Sequence, residues 1–390
     1  MTAYSEPFWV RIPHMLIGTG TVENNAGALA KQFGSKKVLI LTDPGVVKAG
    51  LVDRVKQPLE KEGIKFEVFD KCEPDAPENV IRSCAQALKD GGYDLMISIG
   101  GGSTMDTGKL ASILATADDV VKVDIAQYVP GKRGLPKIHI QTTAGTSAEA
   151  TQGAMWTDVN GIKRVAGSPY FLAEVVIIDP LMTLELPAKI TADTGMDALT
   201  HAIESYCSMR ANIVTDMISE MAIKLIADNL RIVCYKGSMN PEARYNMAVA
   251  AGWACIPFVT LRGPILCHGL GHSLQMEAHC SHGVSVSIML PYVMEFNIGV
   301  NPKRYARIAE LMGEKVDDLP LRDAAQKAVE ALRKLSADIN MPQRLRDIGV
   351  KKEQIPRFVD ILFTVNMLQV NNNPRECTRE DATRLFETAW

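Results

Sequence analysis

The sequence predicts an α/β domain built on a mostly parallel sheet, followed by an all-helical domain. Short apolar runs at 37–42, 64–69, 95–99, 138–142 and 175–179 are spaced through the first half. Amphipathic segments such as 77–89 lie between them, and strands alternating with helices form parallel sheets covered on both faces. Beyond Asp179-Pro180 the pattern is helical at 193–207, 215–230, 242–254, 302–312 and 321–335, without a convincing strand. The boundary falls near Leu186-Pro187, giving domains 1–187 and 188–390.

The first long strand ends at Asp43-Pro44-Gly45, a turn. The third runs through Leu95–Ile99 into Gly100, Gly101, Gly102 and Ser103, and a helix follows. Glycines admit a pyrophosphate close to backbone N–H groups, and the helix N-terminus adds a favourable dipole. The pattern is neither G-x-G-x-x-G nor G-x-x-x-x-G-K-[ST], so a tight strand-to-helix turn explains it equally. A second turn, QTTAGTSAEAT at 141–151, follows the next strand and gathers Thr142, Thr143, Thr146 and Ser147 around Gly145. Two such turns at neighbouring strand ends wrap a dinucleotide. Asp43 would then accept from a ribose 2′-OH and repel a 2′-phosphate, favouring NAD(H) over NADP(H); its plainer reading is a turn residue before Pro44.

Four of the seven histidines fall at 268, 272, 279 and 282. His268 and His272 stand four apart, as do Asp197 and His201, so each pair shares a helix face. Two helices with two ligands each, plus His282 from a following loop, could close around one divalent cation. Imidazole with carboxylate suits Fe²⁺ or Zn²⁺. A zincin would need Glu after the first histidine, and Gly269 stands there.

Composition narrows the rest. The 390 residues are 47% hydrophobic and 22% charged, a globular balance that excludes disorder. With 42 basic and 45 acidic residues the net charge is −3, so nucleic acid is not the expected partner. No run reaches ~18 consecutive apolar residues, so no membrane span is expected. The opening MTAYSEPFWV lacks the charge and apolar core of a signal peptide. Eight scattered cysteines without a C-x-x-C pair fit a reducing cytoplasm.

Four stretches together resemble one family: Gly100-Gly101-Gly102-Ser103-x-x-Asp106-x-x-Lys109, TTAGTSAEAT at 142–151, DTGMDALTHAIESY at 193–206 and CHGLGH…HG at 267–283. In this order, with Ile17-Gly18-Thr19-Gly20 before them and Asn373-Pro374-Arg375 after, they are similar to the iron-containing (group III) alcohol dehydrogenases. The resemblance implies a Rossmann-like dinucleotide-binding domain, an all-α second domain (a dehydroquinate synthase-like architecture) and an active site between them. It implies a divalent metal, Fe²⁺ first and Zn²⁺ or Mn²⁺ as alternatives, on Asp197, His201, His268 and His282. The last is preferred to His279 because it precedes Gly283. His272 then sits beside the metal, linked to proton relay, and Asp106 and Lys163 join the cofactor set.

The implied chemistry is hydride transfer between NAD(H) and a short alcohol or aldehyde, with the metal polarising the substrate oxygen and His272 or water moving the proton. Homodimers or larger homo-oligomers are implied. A dehydroquinate synthase-like lyase and a metal-dependent hydrolase are the rival readings. Departures from the family pattern fall at Gly153, Arg262, Gln369 and Asn371. Arg262, with Gln369 or Asn371, is expected to recognise an anionic substituent, as in a semialdehyde, sulfoacetaldehyde or phosphonoacetaldehyde. Its plainer reading is a solvent-facing or ion-paired arginine.

Overall fold

The computed structural model describes residues 8–390 apart from Pro130, Arg262, Pro264 and His279. The chain forms two compact units, Arg11–Leu186 and Pro187–Trp390.

The first unit runs β1 (His14–Ile17), α1 (Thr21–Gln32), β2 (Lys37–Leu41), α2 (Pro44–Lys48), α3 (Asp53–Lys61), β3 (Lys65–Phe69), α4 (Glu78–Gly91), β4 (Leu95–Gly100), α5 (Gly102–Leu114), α6 (Ile125–Tyr128), β5 (Lys137–Gln141), β6 (Gly153–Thr157), β7 (Lys163–Gly167) and β8 (Val175–Ile178). Six strands form one sheet in the order β1-β8-β5-β4-β2-β3, every neighbouring pair parallel. All five expected strands are present. The inner strands β2, β4, β5 and β8 are buried on both faces, which is why they read as apolar runs rather than as alternation. Leu39, Leu41 and Met96 face one core with Ile81, Leu88 and Leu110. Val38, Ile40, Ile97, Ile99 and Ile140 face the other with Val22, Val55 and Leu59.

The C-terminal ends of β2, β4 and β5 lie side by side, since Leu41 is level with Ser98 and Gly100 with Gln141. Asp43, the glycine turn and the threonine turn therefore emerge along one edge, where α/β sheets bind ligands. The sequence reading missed β1 and the antiparallel hairpin β6–β7.

The second unit contains α7 (Ala188–Cys207), α8 (Ile213–Lys236), α9 (Pro241–Thr260), α10 (Leu266–Ala278), α11 (His282–Ile298), α12 (Pro302–Leu311), α13 (Leu321–Asp338), α14 (Ile355–Thr364), α15 (Met367–Asn372) and α16 (Arg379–Ala389). Among the described residues it has no strand. Asn212 caps α8, accepting from the Val214 and Thr215 N–H groups, and the Thr215 hydroxyl completes the capping box. α11 is apolar nearly all round, as befits a helix buried among neighbours. No helix among the described residues is long and apolar enough to cross a membrane.

Candidate metal centre and dinucleotide turns

In the helical unit, Asp197 and His201 leave one face of α7, His268 lies in the first turn of α10, and His282 opens α11. The expectation that His282 comes from a loop is corrected: three helices supply the group. Ser281 holds the start of α11 in extended backbone, and its hydroxyl donates to Asp193 Oδ1 on α7 at 2.8 Å.

One donor atom from each of Asp197, His201, His268 and His282 lies within 4.8 Å of all the others. Asp197 Oδ1 is 3.4 Å from His282 Nε2 and 3.8 Å from Nε2 of both His201 and His268. These spacings are long for hydrogen bonds. Donors ~2.1 Å from a central tetrahedral ion would be ~3.4 Å apart, so the group has the dimensions of a coordination shell. Asp197 Oδ1 and His268 Nε2 are buried without a hydrogen-bond partner among the described residues. Such orphans call for an absent ligand or ion. Burial, with Asp193 adding repulsion, pushes the Asp197 carboxyl well above its usual range. Burial likewise holds His201 well below the usual imidazole value and brings His268 down to about 3. A divalent cation resolves the conflict, since it wants one ionised carboxylate and neutral imidazole lone pairs. The residues fit the metal.

Around this group stand side chains that sequence reasoning partly missed. His272 lies outside the four-donor set but against it, its ring centroid 5.2 Å from His282 and 5.8 Å from His268. Phe258 of α9 packs on His201 and His268 at 4.7 and 4.6 Å. Glu204, buried on α7, places Oε2 2.5 Å from His268 Nδ1. Its signal was legible: Asp197, His201 and Glu204 recur at helical spacing on one face. Nothing local marks Phe258.

In the α/β unit the two turns abut. A methyl group added at Gly101 would lie 3.2 Å from Thr143, and one at Gly102 2.9 Å from the Thr146 hydroxyl. The Thr142 N–H donates to Gly100 O at 3.1 Å, and Ser147 is fully buried at φ +50°. Asp43 is the N-cap of α2, its Oδ1 accepting from the Gly45 and Val46 N–H groups. The turn-residue reading of Asp43 is thus realised, and Oδ2 stands 3.5 Å from the Thr104 hydroxyl, beside the glycine turn. Ser103 Oγ accepts from the Asp75 N–H, and Lys163 Nζ pairs with Asp75 Oδ1 at 2.8 Å. Asp75, absent from the sequence reading, so links Lys163 to the glycine turn.

Asp106 also has partners within the chain. Its oxygens receive Lys109 Nζ at 3.0 Å and the Met155 N–H at 3.0 Å, and Lys109 also donates to Gly153 O. Each oxygen is engaged once within the chain, so Asp106 braces the start of β6 from the helix that follows the glycine turn.

Residues 13–180 match the family described as iron-containing alcohol dehydrogenase, and residues 191–390 the C-terminal part of the Fe-containing alcohol dehydrogenase family. The chain belongs to the iron-containing alcohol dehydrogenases. It is 38% identical to a 1,3-propanediol dehydrogenase of Citrobacter freundii over 372 residues, 93% of this chain and 94% of that one. A crystal structure of 1,3-propanediol oxidoreductase matches with a TM-score of 0.93 at 36% identity, covering 99% of this chain and 100% of the other. Sulfoacetaldehyde reductase from Bifidobacterium kashiwanohense, solved in complex with NAD+, matches with a TM-score of 0.87 at 27% identity, covering 99% of each chain. The architecture is accordingly dehydroquinate synthase-like, while the activity class is alcohol–aldehyde oxidoreduction, not that of a dehydroquinate synthase or a metal-dependent hydrolase.

In this iron-containing alcohol dehydrogenase the expected substrate residues separate. Gln369 of α15 packs where a side chain at Gly269 would stand, 2.8 Å from that Cβ position, against the residue that follows His268. Asn371 instead lines a groove with Met209, Phe363, Met367 and Cys377, which includes none of the four metal donors. Gly153 opens β6 with nothing within 4 Å of an added methyl. Arg262 and His279 lie outside the described residues. The Asn373-Pro374-Arg375 signature is structural: Asn373 and Asn297 exchange side-chain hydrogen bonds, and Arg375 donates to Phe296 O.

Proposed function

We propose that this chain is a divalent-metal-dependent, NAD(H)-linked enzyme interconverting a short primary alcohol and its aldehyde, with a polar or anionic substituent within its range. The observation that carries the reading is the set Asp197, His201, His268 and His282, the first three buried and the last half-buried, with its two orphaned donor atoms. A divalent cation there, Fe²⁺ first and Zn²⁺ or Mn²⁺ as alternatives, supplies Lewis acidity toward the substrate oxygen, and NAD(H) supplies the hydride.

The chain's own residues do the rest. Phe258 keeps water from one side of the imidazoles. His272, half-buried beside His282, holds or delivers the proton that the alcohol loses or gains. Gly100, Gly101, Gly102 and Ser103 offer backbone and hydroxyl donors to a pyrophosphate, and Thr142, Thr143, Thr146 and Ser147 form the facing turn. Lys163 and Asp43 flank them, the latter disfavouring a 2′-phosphate. Gln369, packed on Gly269, presents an amide to the substrate's substituent, and Gly153 leaves room for bulk. Arg262 belongs to the same proposal as the anion-recognising group. The enzyme works in the cytoplasm as a homodimer or larger homo-oligomer on small molecules, without nucleic acid or membrane as partner.

The test is an NADH-oxidation screen over neutral and anionic short-chain aldehydes, with Fe²⁺, Zn²⁺ and Mn²⁺ added in turn to metal-stripped protein. Metal-dependent turnover of at least one aldehyde is expected, with NADH preferred to NADPH. Turnover at full rate without metal would refute the reading. Equal kcat/KM for charged and neutral aldehydes would remove the anionic preference alone.

A further inference from the structure

We propose that Glu204 is a positioning residue that fixes the His268 tautomer, placing the proton on Nδ1 and leaving the Nε2 lone pair to the metal. The inference rests on the metal centre proposed above and adds a residue outside its donor set.

Glu204 is 2% exposed and projects from α7 toward the start of α10. Its Oε1 accepts from the Cys267 N–H at 2.7 Å, and the Ile265 and His268 backbone N–H groups also donate to the carboxylate. Amides can only donate, so the carboxylate faces this helix N-terminus as an acceptor, where unpaired N–H groups and the helix dipole favour an anion. The remaining contact is Oε2 to His268 Nδ1 at 2.5 Å. Burial works against an ionised Glu204, pushing its carboxyl up to about 8, while the three amide N–H groups pull it back toward the carboxylate. With that carboxylate as acceptor Nδ1 carries the hydrogen, and a neutral imidazole has its lone pair on Nε2. That Nε2 is the atom found buried, orphaned and 3.8 Å from Asp197 Oδ1.

Among the described residues no lysine or arginine pairs with Glu204; its ion-pair partner is His268. Burying a carboxylate without a cationic side chain is expensive. The compensation is what this carboxylate does. One side chain ties the first turn of α10 to α7, orients the ligand ring and selects which of its nitrogens bears the hydrogen. A carboxylate behind a ligand histidine typically changes metal affinity by about 10–100-fold.

The experiment compares wild type, Glu204→Gln and Glu204→Ala, each stripped and titrated with Co²⁺ against a competing chelator. The d–d absorption of the bound ion reports its geometry, and the thermal midpoint of the metal-free protein reports folding. In Glu204→Gln the amide oxygen still serves the Cys267 N–H, but its NH2 group faces Nδ1 and drives the hydrogen to Nε2. Co²⁺ affinity should therefore fall at least tenfold with an altered d–d spectrum, while the metal-free midpoint stays near that of wild type. Glu204→Ala should lose affinity and stability together. Co²⁺ binding by Glu204→Gln within twofold of wild type would overturn the proposal. So would a Glu204→Gln protein unable to fold, since the carboxylate would then serve α10 alone. Failure of wild type to bind Co²⁺ would instead sink the metal centre itself, which keeps the two failures distinct.

Discussion

Gly283 follows the metal donor His282, and replacing it by alanine tests whether the start of α11 sets the donor geometry. A Cβ at this position would lie 2.1 Å from the backbone oxygen of Asp193, 2.6 Å from its Oδ1 and 2.8 Å from its carbonyl carbon. Ordinary contact begins near 3.4 Å, so the pair must separate by 3.4 − 2.1 = 1.3 Å. The obstacle is main chain of α7, one turn before Asp197, and cannot swing aside as a side chain would. The first turn of α11 must move, taking His282 with it. Metal sites accept errors of roughly 0.2 Å in donor position, so a shift of about 1 Å removes His282 from the shell. Overpacking of this kind costs about 1–3 kcal/mol. For a unit of this size that is a loss of roughly 2–12 °C in the midpoint of the metal-free protein. Calorimetry and Zn²⁺ competition titrations read the two effects, with Zn²⁺ affinity expected to fall at least tenfold. Gly299→Ala, just past the other end of α11, meets no atom within 4 Å and serves as the control. A Gly283→Ala protein binding Zn²⁺ as tightly as wild type would refute the reasoning.

Further outcomes are expected elsewhere. Asp197→Ala should abolish metal retention, measured by elemental analysis, and NADH-linked turnover together; activity without metal would contradict it. Asp43→Ser keeps an N-cap acceptor for α2 but removes the charge. It should raise kcat/KM for NADPH relative to NADH at least tenfold with little change in thermal midpoint, and an unchanged ratio would dismiss Asp43 as a cofactor discriminator. Glu149, fully buried, has its carboxyl pushed up by burial to about 7 from an unfolded value of 4.5. The folded state holds this proton more tightly, so its stabilising contribution is complete below pH 4.5 and is lost as the pH rises through 7. Glu149→Gln should therefore gain stability relative to wild type across that interval; a pH-independent difference in midpoint between the two proteins would contradict the assignment.

How far the sequence reveals this molecule depends on where each signal resides. The four inner strands β2, β4, β5 and β8 were legible because burial on both faces demands uninterrupted apolar side chains, as in Val175–Ile178, and the edge strand β3 by its β-branched and aromatic residues. β1 offers four residues at the sheet edge, and β7 is largely exposed, so neither carries a pattern long enough to register. Asp197, His201 and His268 were legible because helical spacing places donors on one face. The helical start at His282 was hidden, since Ser281 makes no side-chain cap bond there and instead donates across to Asp193. The Asp106 bond from the Met155 N–H was not legible, because its motif position says nothing of a partner that reaches it only through the fold. Phe258 sits in the last turn of α9, a helix apolar on most sides, and only packing selects the face it shows to the imidazoles.

Because the four donors come from α7, α10 and α11, an ion bound by them staples three helices at once. Ligand linkage then makes free metal concentration a variable of stability, contributing RT ln(1 + [M]/Kd) to the unfolding free energy. Protein purified through chelating buffers and protein kept in metal are different thermodynamic species. Melting temperatures recorded on preparations of unknown loading will scatter by amounts that mimic mutational effects, so occupancy belongs beside every such value.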